Sequence, residues 1–392
     1  MKLIFNAEAL RPPVTGVGYY SYHLLEQLVL GDDVETVDCF TGTHWQDGRA
    51  QLAATAALLS DGGDAQPGSP LVRRMRAAIG MIPGTKALYD FLMERRFERH
   101  ANANAADAVY HETNYILKPY RGACVTTVHD LSHIRFPQFH PPHVVERLNR
   151  LLPRSLERAD AVITVSNVVR EEILEQYHLP AGKVHTIYEG VDERYKPRTP
   201  AETAAVLERY GLRHGNYVLL VATLEPRKGI DLLLAAWEHL PAVLRREYPL
   251  VLTGSSGWRN EQLRARLDAL VGEGTARHLG YVPADCLPDL YSGAALFCYP
   301  SVYEGFGLPV LDAMRSGVPA ICRAGTSMAE FSAGACPLLE TGEPEELAAT
   351  LERLLENPEE RASWGRKGRE RAAAFSWARC ARETAEIYRR IA

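Results

Sequence analysis

The sequence predicts an α/β protein of two doubly wound parallel-sheet domains in tandem. Three observations predict it. Short β-branched runs alternate with helical patterns along the chain, the signature of parallel strands joined by crossover helices. A charged, proline-bearing stretch interrupts that alternation near the middle. The 392 residues also suffice for two domains of about 100–200 residues each.

In the first half, strands are expected at residues 2–6, 34–40, 108–111, 124–129, 161–165 and 184–188, with helices such as 18–30 and 142–158 between them. Residues 60–70, SDGGDAQPGSP, read as a loop. At 192–200 the charges Asp192, Glu193, Arg194, Lys196 and Arg198 combine with Pro197 and Pro200, which marks an interdomain linker. The second half places strands at 217–222, 250–254, 277–280, 295–299 and 319–322, and helices at 229–240, 260–272, 287–293, 343–357 and 358–375. The parts are therefore 1–195 and 200–374, followed by a capped amphipathic helix over 375–392. Such sheets bind ligands beyond the carboxyl ends of their strands, so the expected site is a cleft between the two.

Composition narrows the function. The chain is 46% hydrophobic and 24% charged, ordinary for a globular protein. A formal net charge of −5 gives no global attraction to nucleic acid. No apolar run approaches the roughly 20 residues that span a bilayer. The opening MKLIFNAEALRPP reads as a first strand and not a signal peptide. Seven scattered cysteines without a C-x-x-C pair point to buried thiols in a reducing cytoplasm. Neither H-E-x-x-H nor D-x-D occurs, so no metal or other cofactor is expected. His140 and His143, around Pro141-Pro142, read as loop residues.

The densest signal is PSVYEGFGLPVLDAMRSGVP at 300–319. Glu304 leads into Gly305-Phe306-Gly307, and Pro309 with Gly317 predicts a helix over 309–316. Amides at that helix start stand near Glu304 and suit anions and hydroxyl-rich ligands. Asp312 follows eight residues later, and both acids are expected in the open cleft. A capped helix with two solvated acids would read the same way. Thr15-Gly16-Val17-Gly18 opens a helix after the first strand, where glycines let a backbone approach a diphosphate; the third glycine of a dinucleotide fingerprint is missing. His129-Asp130 ends a strand, either aimed into the cleft or as a capping Asp with an incidental His. Glu225-Pro226-Arg227-Lys228-Gly229 sets two cations at a strand-to-helix turn, suited to a diphosphate or simply solvated. Ser255 and Ser256 offer hydroxyls after another strand, and Gly280-Tyr281-Val282 follows a third.

The acidic pair Glu304 and Asp312, the string VHDLSHIRFPQFHPP (128–142) and the string ATLEPRKGID (222–231) resemble the retaining GT-B glycosyltransferases of family 4. That group includes sucrose synthase and bacterial mannosyltransferases. The motifs run in the family's order from 15 to 390, with one departure: the family's second acid is Glu, here Asp312. The resemblance implies two Rossmann-like domains facing a cleft, 1–195 for the acceptor and 200–374 for the nucleotide sugar, with 375–392 crossing back. It assigns catalysis to His129 and Glu304, and donor-sugar contacts to both with Gly305, Phe306 and Gly307. It assigns the diphosphate to Gly16, Gly18, Arg227 and Lys228, and the nucleoside to Val282, Leu308 and Asp312. No covalent nucleophile is implied; the route is front-side attack, a donor phosphate oxygen taking the acceptor's proton. The implied donor is a nucleotide diphosphate sugar carrying a hexose or deoxyhexose of mannose or rhamnose type. GDP-mannose or a GDP-deoxyhexose rests on 128–142 alone. The implied acceptor is a lipid-linked or polysaccharide saccharide, as in O-antigen or exopolysaccharide assembly. A nucleotide-sugar epimerase and a catalytically silent nucleotide-sugar-binding subunit remain as alternatives; Asp312 is the only support for the second.

Residues 73–99 carry seven cations (Arg73, Arg74, Arg76, Lys86, Arg95, Arg96, Arg99) against three acids, interleaved with apolar residues. This is either a pair of surface helices or a peripheral contact with anionic lipid at the inner face of the cell membrane.

Overall fold

The computed structural model describes residues 1–60, 85–103, 107–254 and 261–392, without the side chains of residue 60 and residues 85–91. The 60–70 loop beyond its first residue, Ser255, Ser256 and the 73–84 part of the basic segment lie outside the described residues.

The described residues form two sheets. The first has the order β3-β2-β1-β4-β5-β6-β7, from β1 (Lys2–Asn6), β2 (Thr36–Phe40), β3 (Trp45–Asp47), β4 (Ala108–Glu112), β5 (Cys124–Val128), β6 (Ala161–Thr164) and β7 (Val184–Thr186). The second has the order β10-β9-β8-β11-β12-β13, from β8 (Val218–Val221), β9 (Leu250–Thr253), β10 (Ala276–His278), β11 (Leu296–Tyr299), β12 (Ala320–Arg323) and β13 (Leu338–Leu339). Strands β4, β5, β6, β9 and β11 are buried along their whole length. That is the rule for parallel strands covered on both faces; β6, β9 and β11 read as nearly continuous apolar runs, whereas β4 buries His111 and Glu112 and β5 buries Thr126 and Thr127.

The structure departs from the sequence expectation in definite places. β3 is antiparallel to β2, because the short stretch 41–44 permits a hairpin but not the long crossover a parallel partner needs. The first helix begins at Gly16, two residues early, with Thr15 extended ahead of it. The 192–200 stretch joins the two sheets as a packed connection. Tyr195 is buried, Arg198 pairs with Asp289 at 2.8 Å, and Thr199 with Glu202 forms a capping box that opens the helix Pro200–Arg209.

The last helix, Trp377–Ile391, packs on the first helix, Gly16–Leu30. Its Tyr388 hydroxyl meets His111 Nδ1 at 2.6 Å, and its Trp377 stacks on His23. Just before it, Ser376 pairs with Val191 as an isolated parallel bridge. The chain's two passes between the sheets therefore run side by side. Among the described residues no helix is long and apolar enough to cross a membrane.

Candidate active site

β8 and β11 are neighbours at the centre of the second sheet, so their carboxyl-end loops lie side by side. Gly229, at φ 68°, seals them: a Cβ there would stand 2.3 Å from the Pro300 carbonyl oxygen. This joins Arg227 and Lys228 to Glu304. The Lys228 ammonium donates to Glu304 Oε1 at 2.6 Å and to the Tyr299 hydroxyl at 3.0 Å. Ser301 Oγ donates to the same Oε1 at 2.6 Å. Arg227 reaches Glu304 Oε2 at 3.5 Å and Glu225 at 3.0 Å.

The Glu304 side chain is only 11% exposed, so the expected open, solvated acid is corrected. Two cations and a hydroxyl enclose it because its loop folds under the Arg227–Lys228 turn. Burial alone would raise this carboxyl; Lys228 and Arg227 outweigh it and hold it below the usual range. Burial draws the Lys228 ammonium down, against Glu304.

The carboxyl end of β5 faces this cluster from the first sheet. His129 is buried, its Nε2 2.8 Å from the Thr113 carbonyl oxygen and its Nδ1 3.8 Å from Glu189. Asp130 accepts from the Ser132 amide at 2.9 Å and the Tyr115 hydroxyl at 3.1 Å. Burial would raise its carboxyl, but Arg227 across the cleft, with these bonds, keeps it low. Gly305 meets this strand end directly: a Cβ on it would lie 2.0 Å from the His129 carbonyl oxygen.

The other expected residues divide. Gly16 opens on free space, whereas a Cβ on Gly18 would strike the Ala9 carbonyl at 2.6 Å, so packing by itself explains that glycine. Phe306 buries its ring against Phe331, 4.7 Å between centroids, which leaves only its backbone for a sugar. Gly307, at φ 111°, caps the helix Leu308–Arg315, one residue earlier than expected. Val282 is buried and Leu308 partly buried. Asp312 stands apart from the Glu304 cluster. Burial, and Asp192 beside it, raise its carboxyl well above the usual range. A cavity of about 560 Å³ lies nearby, between Tyr19, Tyr22 and His23 of the first helix, Asp192–Arg194 and Asp285. Sequence reasoning missed Tyr299, Ser301, Tyr303 and Glu189. Only Tyr303 had a signal, its place directly before Glu304.

The family model for Glycosyltransferase Family 4 matches residues 14–195, and that for Glycosyl transferases group 1 matches residues 209–371. The chain belongs to glycosyltransferase family 4. Among family relatives, "O-antigen chain mannosyltransferase B" of Escherichia coli is 35% identical over 389 residues, 99% of this chain and 100% of that protein. "MMP alpha-(1->4)-mannosyltransferase" of Mycolicibacterium hassiacum is 31% identical over 58% of this chain and 53% of its own length. The GT-B fold is shared with WaaG, a glycosyltransferase involved in lipopolysaccharide biosynthesis (TM-score 0.70, 16% identity, 99% of each chain). It is also shared with sucrose-phosphate synthase from Thermosynechococcus elongatus (TM-score 0.70, 22% identity, 100% of this chain and 98% of that one). As a family 4 enzyme the chain is a glycosyltransferase.

Proposed function

We propose that this enzyme transfers mannose, or a related hexose or deoxyhexose, from a GDP-linked sugar to a lipid-linked or polysaccharide saccharide, with retention of anomeric configuration. The observation that carries the reading is the Arg227–Lys228–Glu304 cluster facing His129, in a chain similar over its full length to an O-antigen mannosyltransferase. Arg227 and Lys228 would turn part of their charge from Glu304 to the departing diphosphate, where negative charge grows. Glu304 and the 305–307 backbone would hold sugar hydroxyls, and His129 would border the reacting face. Gly16 would let the first helix start approach the phosphates, and Val282, Leu308 and Asp312 would line the nucleoside. The first sheet's cleft side would take the acceptor. The route is front-side attack without a metal.

The test is incubation with GDP-mannose, GDP-deoxyhexoses and UDP-sugars plus a lipid-linked saccharide, with and without EDTA, and NMR of the product. An α-mannoside formed from the α-linked GDP donor in EDTA supports the reading. A β-product, UDP preference or loss with EDTA overturns the corresponding part. An epimerised donor alone, or no turnover, overturns transfer itself. In parallel, Arg227→Ala and Lys228→Ala are expected to weaken nucleoside diphosphate binding by calorimetry.

The exposed Leu92, Arg96 and Arg99 of the helix Thr85–Ala103 border a cavity of about 850 Å³ with Trp45 and His100. We assign this face to anionic lipid, which would place the enzyme at the inner face of the cell membrane.

A further inference from the structure

Tyr303 sits on the β11 side of the cleft, but its hydroxyl is spent on the other side. It accepts the Leu131 amide at 2.8 Å and donates to Glu172 Oε2 at 2.5 Å. Both partners belong to the part of the chain built on the first sheet. Leu131 follows His129 and Asp130, and Glu172 lies on the helix Asn167–Tyr177. Glu172 is itself held by Arg135 at 3.0 Å. The Tyr303 ring is buried and packs on Phe136, 5.5 Å between centroids. Its carbonyl oxygen accepts from Arg227 Nη1 at 3.3 Å and from Ser301 Oγ at 3.3 Å. One residue thus bonds through its backbone to the cation cluster and through its side chain to the strand end that carries His129.

We propose that Tyr303 is a positioning residue that sets the spacing between His129 and Glu304 when the two sheets face each other closely. This rests on the glycosyl-transfer reading only for its effect on rate. The bond pattern is suited to a gauge. A backbone amide allows little freedom of position, and a phenol donating to a carboxylate makes a short charge-assisted bond. Beside it, Gly305 abuts the His129 carbonyl and forbids closer approach. The hydroxyl pulls where the glycine stops. A second tie acts on the same helix: Glu330 accepts the Asn167 and Val168 amides at 2.8 and 2.9 Å, and the Tyr188 hydroxyl at 2.7 Å. It sits at the helix N-terminus, where a carboxylate is favoured. Glu330 anchors one end of the helix, and Tyr303 fixes its Glu172 turn. When the sheets part, water can satisfy Leu131, Glu172 and Tyr303 alike, so the bonds favour the close arrangement alone.

The test compares Tyr303→Phe and Glu172→Gln with the parent protein. All seven cysteines are buried, so dyes on Leu30→Cys and Val243→Cys, parent positions 67% and 73% exposed, report the separation of the two sheets by energy transfer, with and without GDP or UDP. Tyr303→Phe is expected to lengthen the mean distance in the free protein. It is also expected to cut kcat by about 10- to 100-fold, the loss of a hydrogen bond to a charged group, with nucleoside diphosphate Kd and Tm unchanged. Glu172→Gln still accepts from the phenol and is expected to recover most of the rate. Distances and kcat equal to the parent's in Tyr303→Phe overturn the proposal, and so does a loss seen in Kd alone. If the parent transfers no sugar yet the distance shifts in Tyr303→Phe, the gauge stands and the transfer reading falls.

Discussion

Glu304 keeps its charge where a lone carboxylate would give it up. Lys228 is as enclosed as Glu304 is, so each is the other's compensation. Removing one partner of a buried ion pair costs about 3–5 kcal/mol, because the survivor stays charged and unmatched. Glu304→Ala is therefore expected to lose activity and also to unfold at markedly lower urea, with Glu304→Gln losing activity at a smaller stability cost. An alanine variant as stable as the parent would contradict the burial. Two further buried groups contribute opposing pH responses. Burial, against Lys118, Asn6 and Tyr110, pushes the Glu112 carboxyl up to about 7. The unfolded chain releases that proton first, so stability falls as pH rises from about 4.5 to 7, by roughly 3 kcal/mol in all. Burial, and His129 nearby, pull His111 down to about 3. There the unfolded chain binds the proton first, so stability rises with pH between about 3 and 6.5. The slopes oppose each other between pH 4.5 and 6.5. Glu112→Gln is expected to expose the histidine slope, making stability climb through that range more steeply than in the parent. Parallel profiles from urea melts at several pH values would exclude this.

The helix Trp377–Ile391 shows how local and distant information divide. Its amphipathic spacing was readable: Trp377, Ile387 and Tyr388 all turn out buried. The Tyr388 contact with His111 was not, since 277 residues separate them. Trp377→Ala is expected to cost about 3–5 kcal/mol, as for large aromatic truncations in a core, and to be felt by probes near Tyr20 and His23, which its ring touches. Unchanged denaturant midpoints would show that the ring is dispensable. The same division runs through the site. Arg227-Lys228 and Glu304 were each marked by flanking Gly and Pro residues, because turn chemistry is local. Their mutual pairing was hidden, for it follows from β8 lying beside β11. Gly18 and the Phe306 ring also carry packing that position in the sequence does not announce, because what a missing Cβ or a ring would meet is set by distant parts of the chain. The packing of the 192–200 connection has a similar cause: its charges announce solvent, while Tyr195 among them is buried.

Gly305 and the two adjacent chain passes make the molecule behave as a pair of halves with a hard stop. In Gly305→Ala the added Cβ must gain roughly 1 Å from the His129 carbonyl, and backbone on both sides leaves separation of the halves as the relief. A misplacement of about 1 Å at reacting groups costs on the order of a hundredfold in rate. This variant is expected to lose kcat by about that factor while binding nucleoside diphosphate as before; a parental kcat would remove the stop. On the outer face, Arg96→Glu and Arg99→Glu are expected to weaken sedimentation with anionic vesicles by about 1 kcal/mol each, and high salt should do the same. Salt-independent binding would speak against a charge-led contact. The returning helix carries a further consequence, for synthesis. The first sheet emerges from the ribosome early, but Tyr388 comes 277 residues after His111. At about 5–20 residues per second, the wait is on the order of tens of seconds. Throughout it, Tyr20, His111 and the apolar face of the first helix stand uncovered. The half made first is finished last, so a premature stop near residue 375 would leave the damage at the other end of the protein, in a nascent domain that chaperones must shield.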